Sequence, residues 1–340
     1  GLKMKKTRVS GLTITILTES PIALSNDQGT GNYTPIKKYF YKDGAHAMTS
    51  VGTITYELRK KMIKDYGWTA SSMVIKDKNL HPKKEDIESI GLNGLESDVF
   101  GFLVPGEQIN KTSPLRIIPF ISANTYKTDT QIITNKGFLE SDLNRKYYDT
   151  KGDNIEIGKV PSTQALAFEE VFGDYYCYTI TIELDRIGVV EVKDNKYLEP
   201  EERKYMSGEI RKKAITDITD AIINFTRDIK HQKIHLKPIA VFGGVFESPI
   251  PYFWNDIKVD QKGNIVMDYA YETITGYELS EENYIISISS RIPKIYRNDN
   301  FENKLKISDT PQKAIKSLVK KLNVAEDNSW YLEIGDKIEE

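Results

Sequence analysis

Over about residues 9–19 apolar positions recur with a period of two: Leu12, Ile14 and Ile16 alternate with Thr13 and Thr15. That spacing gives a strand with one apolar face. The same alternation is clearest further on, where Tyr176, Tyr178, Ile180, Ile182 and Leu184 take one side and Cys177, Thr179, Thr181 and Glu183 the other. A strand is also predicted over residues 115–122. Pro119 lacks an N–H for the ladder, so this strand belongs at a sheet edge or carries a bulge. Residues 236–246 predict another, ending at the glycine pair Gly243-Gly244, and residues 284–290 a further one.

Helical spacing appears three times. Val51, Ile54, Leu58 and Met62 follow Thr49 and Ser50, either of whose hydroxyls can cap a first turn. Pro200 opens a second region in which Met206, Ile210, Ala214, Ile218, Ala221, Ile222, Phe225 and Ile229 form a stripe, with Gly208 as a break point. A last helix starts near Ser308, turning Ile315, Leu318, Val319 and Leu322 inward and Lys313, Lys316, Lys320 and Lys321 to water. Two long interruptions remain. Residues 65–113 read as irregular, with Trp68, the Lys83-Lys84 pair and a short helix over residues 82–90. Residues 124–161 are polar and turn-rich and predict a projecting hairpin or arm. Without them the order is strand, helix, strand, strand, helix, strand, an α+β arrangement of the ferredoxin-like kind that also underlies RNA-recognition domains. Many unrelated functions share that order.

Composition narrows the function. With 340 residues, 39% hydrophobic and 28% charged, the chain buries a sizeable core, and disorder throughout is excluded. A formal charge of -2 excludes a general polycation, so any nucleic-acid site is local. The one cysteine, Cys177, excludes an intrachain disulfide and a multi-cysteine zinc site and fits a reducing cytoplasm. Glu19 interrupts the first apolar stretch and no run is long enough for a bilayer, so neither a secretory segment nor a membrane partner is expected. Phosphate-loop, zinc-protease and nucleophile-elbow motifs are absent from the sequence. His231 and His235 stand four apart but lack a third ligand nearby, and read as surface histidines. No catalytic residue, metal or cofactor is therefore assigned.

Charge is uneven along the chain. Residues 37–64 hold seven basic side chains (Lys37, Lys38, Lys42, Arg59, Lys60, Lys61, Lys64) against Asp43 and Glu57. Residues 325–340 hold six acidic ones against Lys337. A basic segment running into a capped helix start suits a phosphate backbone, because free N–H groups and the positive helix end add to the lysine charge. A solvated helix face has the same composition.

The stretch Lys37-Lys38 through Gly44, then Met48-Thr49-Ser50 leading into Ile54 and Leu58-Arg59, resembles the loop and first helix of the repeated backbone subunit of CRISPR Cascade complexes, most of all the DevR group of type I-B systems. Asp98-Val99-Phe100-Gly101-Phe102-Leu103 is similar to that family's D-x-F-G-x-L element, and Ser113-Pro114-Leu115-Arg116 to the strand after it. Phe242-Gly243-Gly244 with Pro249-Ile250-Pro251 is similar to its glycine turn and proline-rich segment. The resemblance implies an RRM-like palm (residues 1–64, 114–123 and 162–340, the last with C-terminal additions), a finger insertion (65–113) and a thumb (124–161). It implies a non-catalytic scaffold that multiplies along CRISPR guide RNA for antiviral defence and leaves the bases free to pair with target DNA, among copies of itself and other Cascade subunits. Lys37, Lys38, Thr49, Ser50, Thr53, Arg59, Gly243 and Gly244 would then meet RNA. Arg145, Lys146, Tyr147 and Tyr148 would form the thumb's contact with RNA or the neighbouring subunit. Where related subunits often carry Gln and Lys after the serine, this chain has Val51, Gly52, Thr53 and Thr55, which leaves backbone N–H groups as the contact implied there. Two other readings stand beside this one: a repeat-associated ribonuclease, acting through histidine general acid–base chemistry or an exposed aspartate, for which Asp98 is the best candidate, and a stand-alone ligand-binding regulatory module.

Overall fold

The structure is a computed structural model that describes residues 4–22, 24, 33–34, 38–88, 94–107, 109–125, 130–133, 146–156, 167–170, 173–229, 231–296 and 305–335. The alternating segments form strands β1 (Gly11–Ser20), β2 (Leu115–Ser122), β3 (Asp174–Glu183), β4 (Ala240–Phe246) and β5 (Tyr284–Ile288). They make one five-stranded sheet in the order β2-β3-β1-β4-β5, every neighbour antiparallel. Helix α1 (Val51–Asp65) joins β1 to β2, α2 (Gly208–Ile223) lies between β3 and β4, and α3 (Pro311–Lys320) follows β5. Pro119 acts as its chemistry predicts: β2 is an edge strand and its register against β3 shifts between Ile118 and Ile121.

All three helices bury their stripes on one face of the sheet. Leu12, Ile14 and Ile16 of β1, Tyr178, Ile180 and Ile182 of β3, and Val241 and Val245 of β4 pack with Ile54, Leu58 and Met62, with Ala214, Ile218 and Ile222, and with Ile315, Leu318 and Val319. Each fully buried aliphatic side chain contributes about 1.5–3 kcal/mol, so this face dominates the stability. On the opposite face Thr13 and Thr15 hydrogen-bond through their hydroxyls to Thr181 and Thr179, both at 2.9 Å. Leu17, Phe242, Phe246, Ile286 and Ile288 there are covered by Phe253, Ile257, Ile265 and Met267.

Several boundaries differ from the sequence expectation. Val51 is exposed, so the stripe of α1 is Ile54, Leu58 and Met62 alone. Pro200 opens only a 3-10 turn (Pro200–Glu202), and α2 starts at Gly208 behind a Ser207 cap rather than breaking there. Phe225 lies beyond its end, and Ile229 belongs to a strand (Thr226–Ile229) paired with Gln232–His235. The fourth strand begins at Ala240, past Pro238, and continues through both glycines to Phe246 instead of ending at them. Leu322 is buried from a short strand, Leu322–Val324, not from α3.

The described part of residues 65–113 holds more regular elements than the single short helix expected. Met73–Lys76 pairs with Asn79–Pro82 and Phe102–Val104 with Ile109–Lys111, around short helices Lys84–Glu88 and Leu95–Phe100. Within residues 124–161, Thr130–Ile133 pairs with Ala167–Glu170, and Tyr147–Tyr148 with Asn154–Ile155. Met4–Val9 pairs with Trp330–Gly335, which brings two segments distant in sequence side by side. Among the described residues no helix is long and apolar enough to cross a membrane.

Candidate nucleic-acid interface

The stretch between β1 and α1 contains a hairpin, Lys38–Tyr41 with Gly44–Ala47. His46 ties it to the end of β2: Nδ1 lies 2.7 Å from the Ser122 carbonyl oxygen and Nε2 2.8 Å from Asp43 Oδ1. The Ala47 N–H donates to Ser122 Oγ at 2.9 Å, and Met48 bridges to Ile121. The chain then turns into α1. Thr49 is wholly buried: its N–H donates to the Phe120 carbonyl at 2.9 Å and its Oγ1 accepts from the Phe120 N–H at 3.1 Å. Thr49 thus anchors the turn, and its hydroxyl faces the strand rather than a ligand.

Ser50 is the N-cap. Its Oγ accepts from the Thr53 N–H at 3.1 Å and lies 2.6 Å from Thr53 Oγ1. The N–H groups of Val51 and Gly52 precede any helical acceptor. Both residues are exposed, a Cβ on Gly52 would meet open space, and the first turn has no acidic residue. Lys38 and Lys42 sit on the adjoining hairpin, the Lys42 ammonium 5.9 Å from the Tyr41 ring centroid. The positive helix end, the first-turn N–H groups and two hydroxyls therefore meet without a competing carboxylate in the turn, with Lys38, opposite Ala47, at the near end of the hairpin and Lys42 in its far turn.

Not every residue singled out from sequence joins this cluster. Lys37 and Arg145 lie outside the described residues. Arg59 is two turns along α1, paired with Glu96 at 2.9 Å and set 5.1 Å over the Phe100 ring. Gly243 and Gly244 are buried inside β4, where a Cβ would come within 2.5 Å of the Thr13 carbonyl oxygen and 2.2 Å of that of Asn283. Close strand packing accounts for both glycines, and no turn is formed there. Lys146 and Tyr148 are exposed and Tyr147 half-buried, Tyr147 and Tyr148 on one strand of their small hairpin. His231 and His235 stay apart from any ligand set: among the described residues no group of three His, Cys, Asp or Glu side chains could hold a metal.

Asp98 is not placed for acid–base work. It is 1% exposed; Oδ1 accepts from Lys111 Nζ and Oδ2 from the Gly188 N–H at 2.6 Å. Lys111 also donates to the Arg186 and Val189 carbonyls at 2.9 and 2.8 Å. Burial pushes the carboxyl up from its ordinary range while the ammonium and the N–H pull it down. The pair pins residues 95–111 to the chain after β3.

Sequence reasoning missed a cleft on the sheet face away from the helices. Ile118 and Ile121 of β2 and Cys177 and Thr179 of β3 form its floor, Tyr39 and Tyr41 one wall, and Trp254, Asn255 and Lys258 contribute another part of the lining. It holds about 90 Å³ and opens to solvent, less than a whole-ligand pocket. Desolvation pushes the Cys177 thiol up to about 12, so it is an inert part of the floor. The contributing segments are far apart in the chain, and no local pattern marks them.

A family model described as CRISPR-associated negative auto-regulator DevR/Csa2 matches residues 13–264. No curated protein matches the chain. Among solved structures, a chain of a "CRISPR RNA-guided surveillance complex, pre-nicking" is similar with a TM-score of 0.57 at 10% identity, over 92% of this chain and 99% of that one. A chain of a second "CRISPR RNA-guided surveillance complex" is similar with a TM-score of 0.51 at 12% identity, over the same shares. At such identities the likeness is one of fold. Since the family model covers well over half of the sequence, the chain belongs to the DevR/Csa2 family of CRISPR-associated proteins.

Proposed function

We propose that the protein is a non-catalytic guide-RNA-binding subunit of a type I CRISPR surveillance complex, acting in the cytoplasm, several copies lining one guide and presenting its bases to target DNA. In this reading the order β4-β1-β3-β2, with α1 and α2 on one face, is an RRM-like palm; residues 65–113 are the finger and 124–161 the thumb. The observation that carries it is the start of α1, where Ser50, Thr53 and the exposed Val51 and Gly52 follow the hairpin that carries Lys38 and Lys42, with no acid in the first turn. Such a site holds phosphates and is indifferent to base identity, so specificity passes to base pairing. The ribonuclease alternative loses its best residue, because Asp98 is already saturated by Lys111 and Gly188.

Fluorescence anisotropy with several unrelated guide-length RNAs tests the reading. Affinities agree within about tenfold at fixed salt, roughly 1.4 kcal/mol, and fall as salt rises, while the RNA stays intact on a gel. A strong base preference, an affinity independent of salt, or cleaved RNA contradicts it.

A further inference from the structure

Two exposed surfaces at opposite edges of the sheet carry opposite charge. The first is the hairpin of Met73–Lys76 with Asn79–Pro82, in the insertion that leads into the edge strand β2. Its register sets Ile75 opposite Leu80 and Met73 opposite Pro82 on one side. Ile75 is 77% exposed, Met73 and Leu80 are exposed as well, and so is Leu103 on the strand alongside. Folding leaves this apolar cluster uncovered, which marks a contact with another molecule. Residues 73–84 hold Lys76, Lys78, Lys83 and Lys84 against Asp77 alone. Lys84 is taken by Asp194 and Glu88, at 3.2 and 3.8 Å, and Asp86 in the helix that follows accepts the Ser72 N–H at 3.0 Å. Lys76, Lys78 and Lys83 are exposed and form no ion pair among the described residues.

The second surface lies at the other edge, where β4 ends and β5 begins. Phe246, Tyr252 and Tyr277 form an edge-to-face series with centroids 4.9 and 5.2 Å apart, and Tyr277 is 65% exposed. Ile250, whose carbonyl accepts the Tyr252 N–H at 2.8 Å, is exposed too. The Val245 N–H donates to the Asn283 carbonyl at 2.9 Å, which brings the chain carrying Glu281 and Glu282 to the end of β4, where Glu247 follows. Glu278 comes directly after Tyr277. All four carboxylates are exposed, and none is in an ion pair among the described residues. Residues 238–257 and 263–290 together hold seven carboxylates and no Lys or Arg. Of the bases on adjoining segments, Lys258 donates to Asn255 Oδ1 at 2.6 Å, and Arg8 is within electrostatic reach of Asp185 and Asp327. A phosphate backbone is repelled by such a face. Tyrosine rings among carboxylates instead attract cationic side chains, through the ring faces and by ion pairing. The chemistry selects a basic, apolar protein segment, and the chain carries one at its opposite edge.

We propose that the two surfaces meet between successive copies of the chain. The hairpin of one copy seats Ile75 and Leu80 against Ile250, Tyr252 and Tyr277 of the next, with Lys76 and Lys78 facing Glu278, Glu281 and Glu282. Because the patches differ and lie at opposite edges, the contact is head-to-tail and repeats along a strand instead of closing on a dimer. The hairpin is small, so the contact is weak in free solution and acts when RNA holds neighbours at high local concentration. The inference rests on the several-copy reading above and adds to it the surfaces that join the copies.

The test uses full-length protein on a short RNA that holds one copy and on a long RNA that holds several. Three variants are compared with wild type: the hairpin reversed (Lys76→Glu with Lys78→Glu), the face reversed (Glu281→Lys with Glu282→Lys), and both reversals in one chain. All four positions are exposed, so folding is unaffected. Wild type fills the long RNA cooperatively. Reversing either surface leaves the short-RNA affinity as in wild type and raises the protein concentration needed to fill the long RNA by about tenfold. The doubly reversed chain, complementary again, regains wild-type filling. If reversing one surface leaves filling unchanged, or the doubly reversed chain does no better than either, the contact is overturned and the RNA reading stands. A hairpin reversal that weakens binding equally on both RNAs assigns the hairpin to RNA and also overturns it. A wild type that places one copy on the long RNA overturns the several-copy reading and this inference with it.

Discussion

At Asp98 every polar group that the fold buries has a partner: the three protons of the Lys111 ammonium meet one carboxylate and two carbonyls, and the second carboxylate oxygen meets the Gly188 N–H. At the start of α1 the fold stops short of that. Ser50 caps one N–H, Thr53 supplies a second hydroxyl, and the exposed Val51 and Gly52 follow the hairpin that carries Lys38 and Lys42. Both places gather the charged and polar groups that functional sites use. The difference is saturation. A saturated buried pair fixes geometry, and exposed N–H groups in a first helical turn are open to a ligand.

That contrast breaks most visibly at the buried pair. Asp98→Ala leaves the Lys111 ammonium buried without its counter-ion, and such losses cost about 3–5 kcal/mol. Urea unfolding should show a fall of that size, with the RNA affinity of the folded fraction unchanged. The opposite pattern is expected for Lys38→Ala with Lys42→Ala. Unfolding stays within about 0.5 kcal/mol of wild type, while the slope of log affinity against log salt drops by roughly 0.7 for each phosphate that the protein no longer neutralises. If that variant binds RNA with an unchanged slope, the two lysines are a solvated face and the contrast fails.

Ser50→Ala sharpens the comparison, because one side chain serves both purposes. Loss of the cap costs about 1 kcal/mol, read as a lower thermal midpoint, and RNA affinity falls as the helix start loosens. Asp256 gives the smallest effect. Burial pushes its carboxyl up from 3.8 to about 6, although Thr273 Oγ1 donates to it at 2.5 Å. A folded value above the unfolded one means that the stability it contributes is complete below about pH 4 and lost as pH rises through 6. Asp256→Asn should remove that slope and raise the unfolding free energy at pH 7.5, by no more than about 1 kcal/mol because the group is partly solvated.

Most of the core was legible because its signals are local. The alternation in β1 and β3, the missing N–H of Pro119 and the Ser50 cap each act within a few residues, and each element stands where its chemistry required. Boundaries were lost where one pattern served two structures. Phe225 and Ile229 keep helical spacing with α2, yet the chain turns after Ile223 and pairs residues 226–229 with 232–235. Gly243-Gly244 resembles the family's glycine turn and is instead a point of close approach between β1, β4 and Asn283. The hairpin at residues 38–47 was hidden because its strands are four residues long with Phe40 exposed, so neither face shows a period. The cleft was hidden because Tyr39, Tyr41, Trp254 and Lys258 meet only through the sheet.

The mass of the complexes formed on two intact RNAs, one twice the length of the other, tests the scaffold most directly. Light scattering should give about twice as many protein copies on the longer strand, with the RNA recovered uncut. A single copy on each, or cleavage products in place of the input strand, would contradict the account.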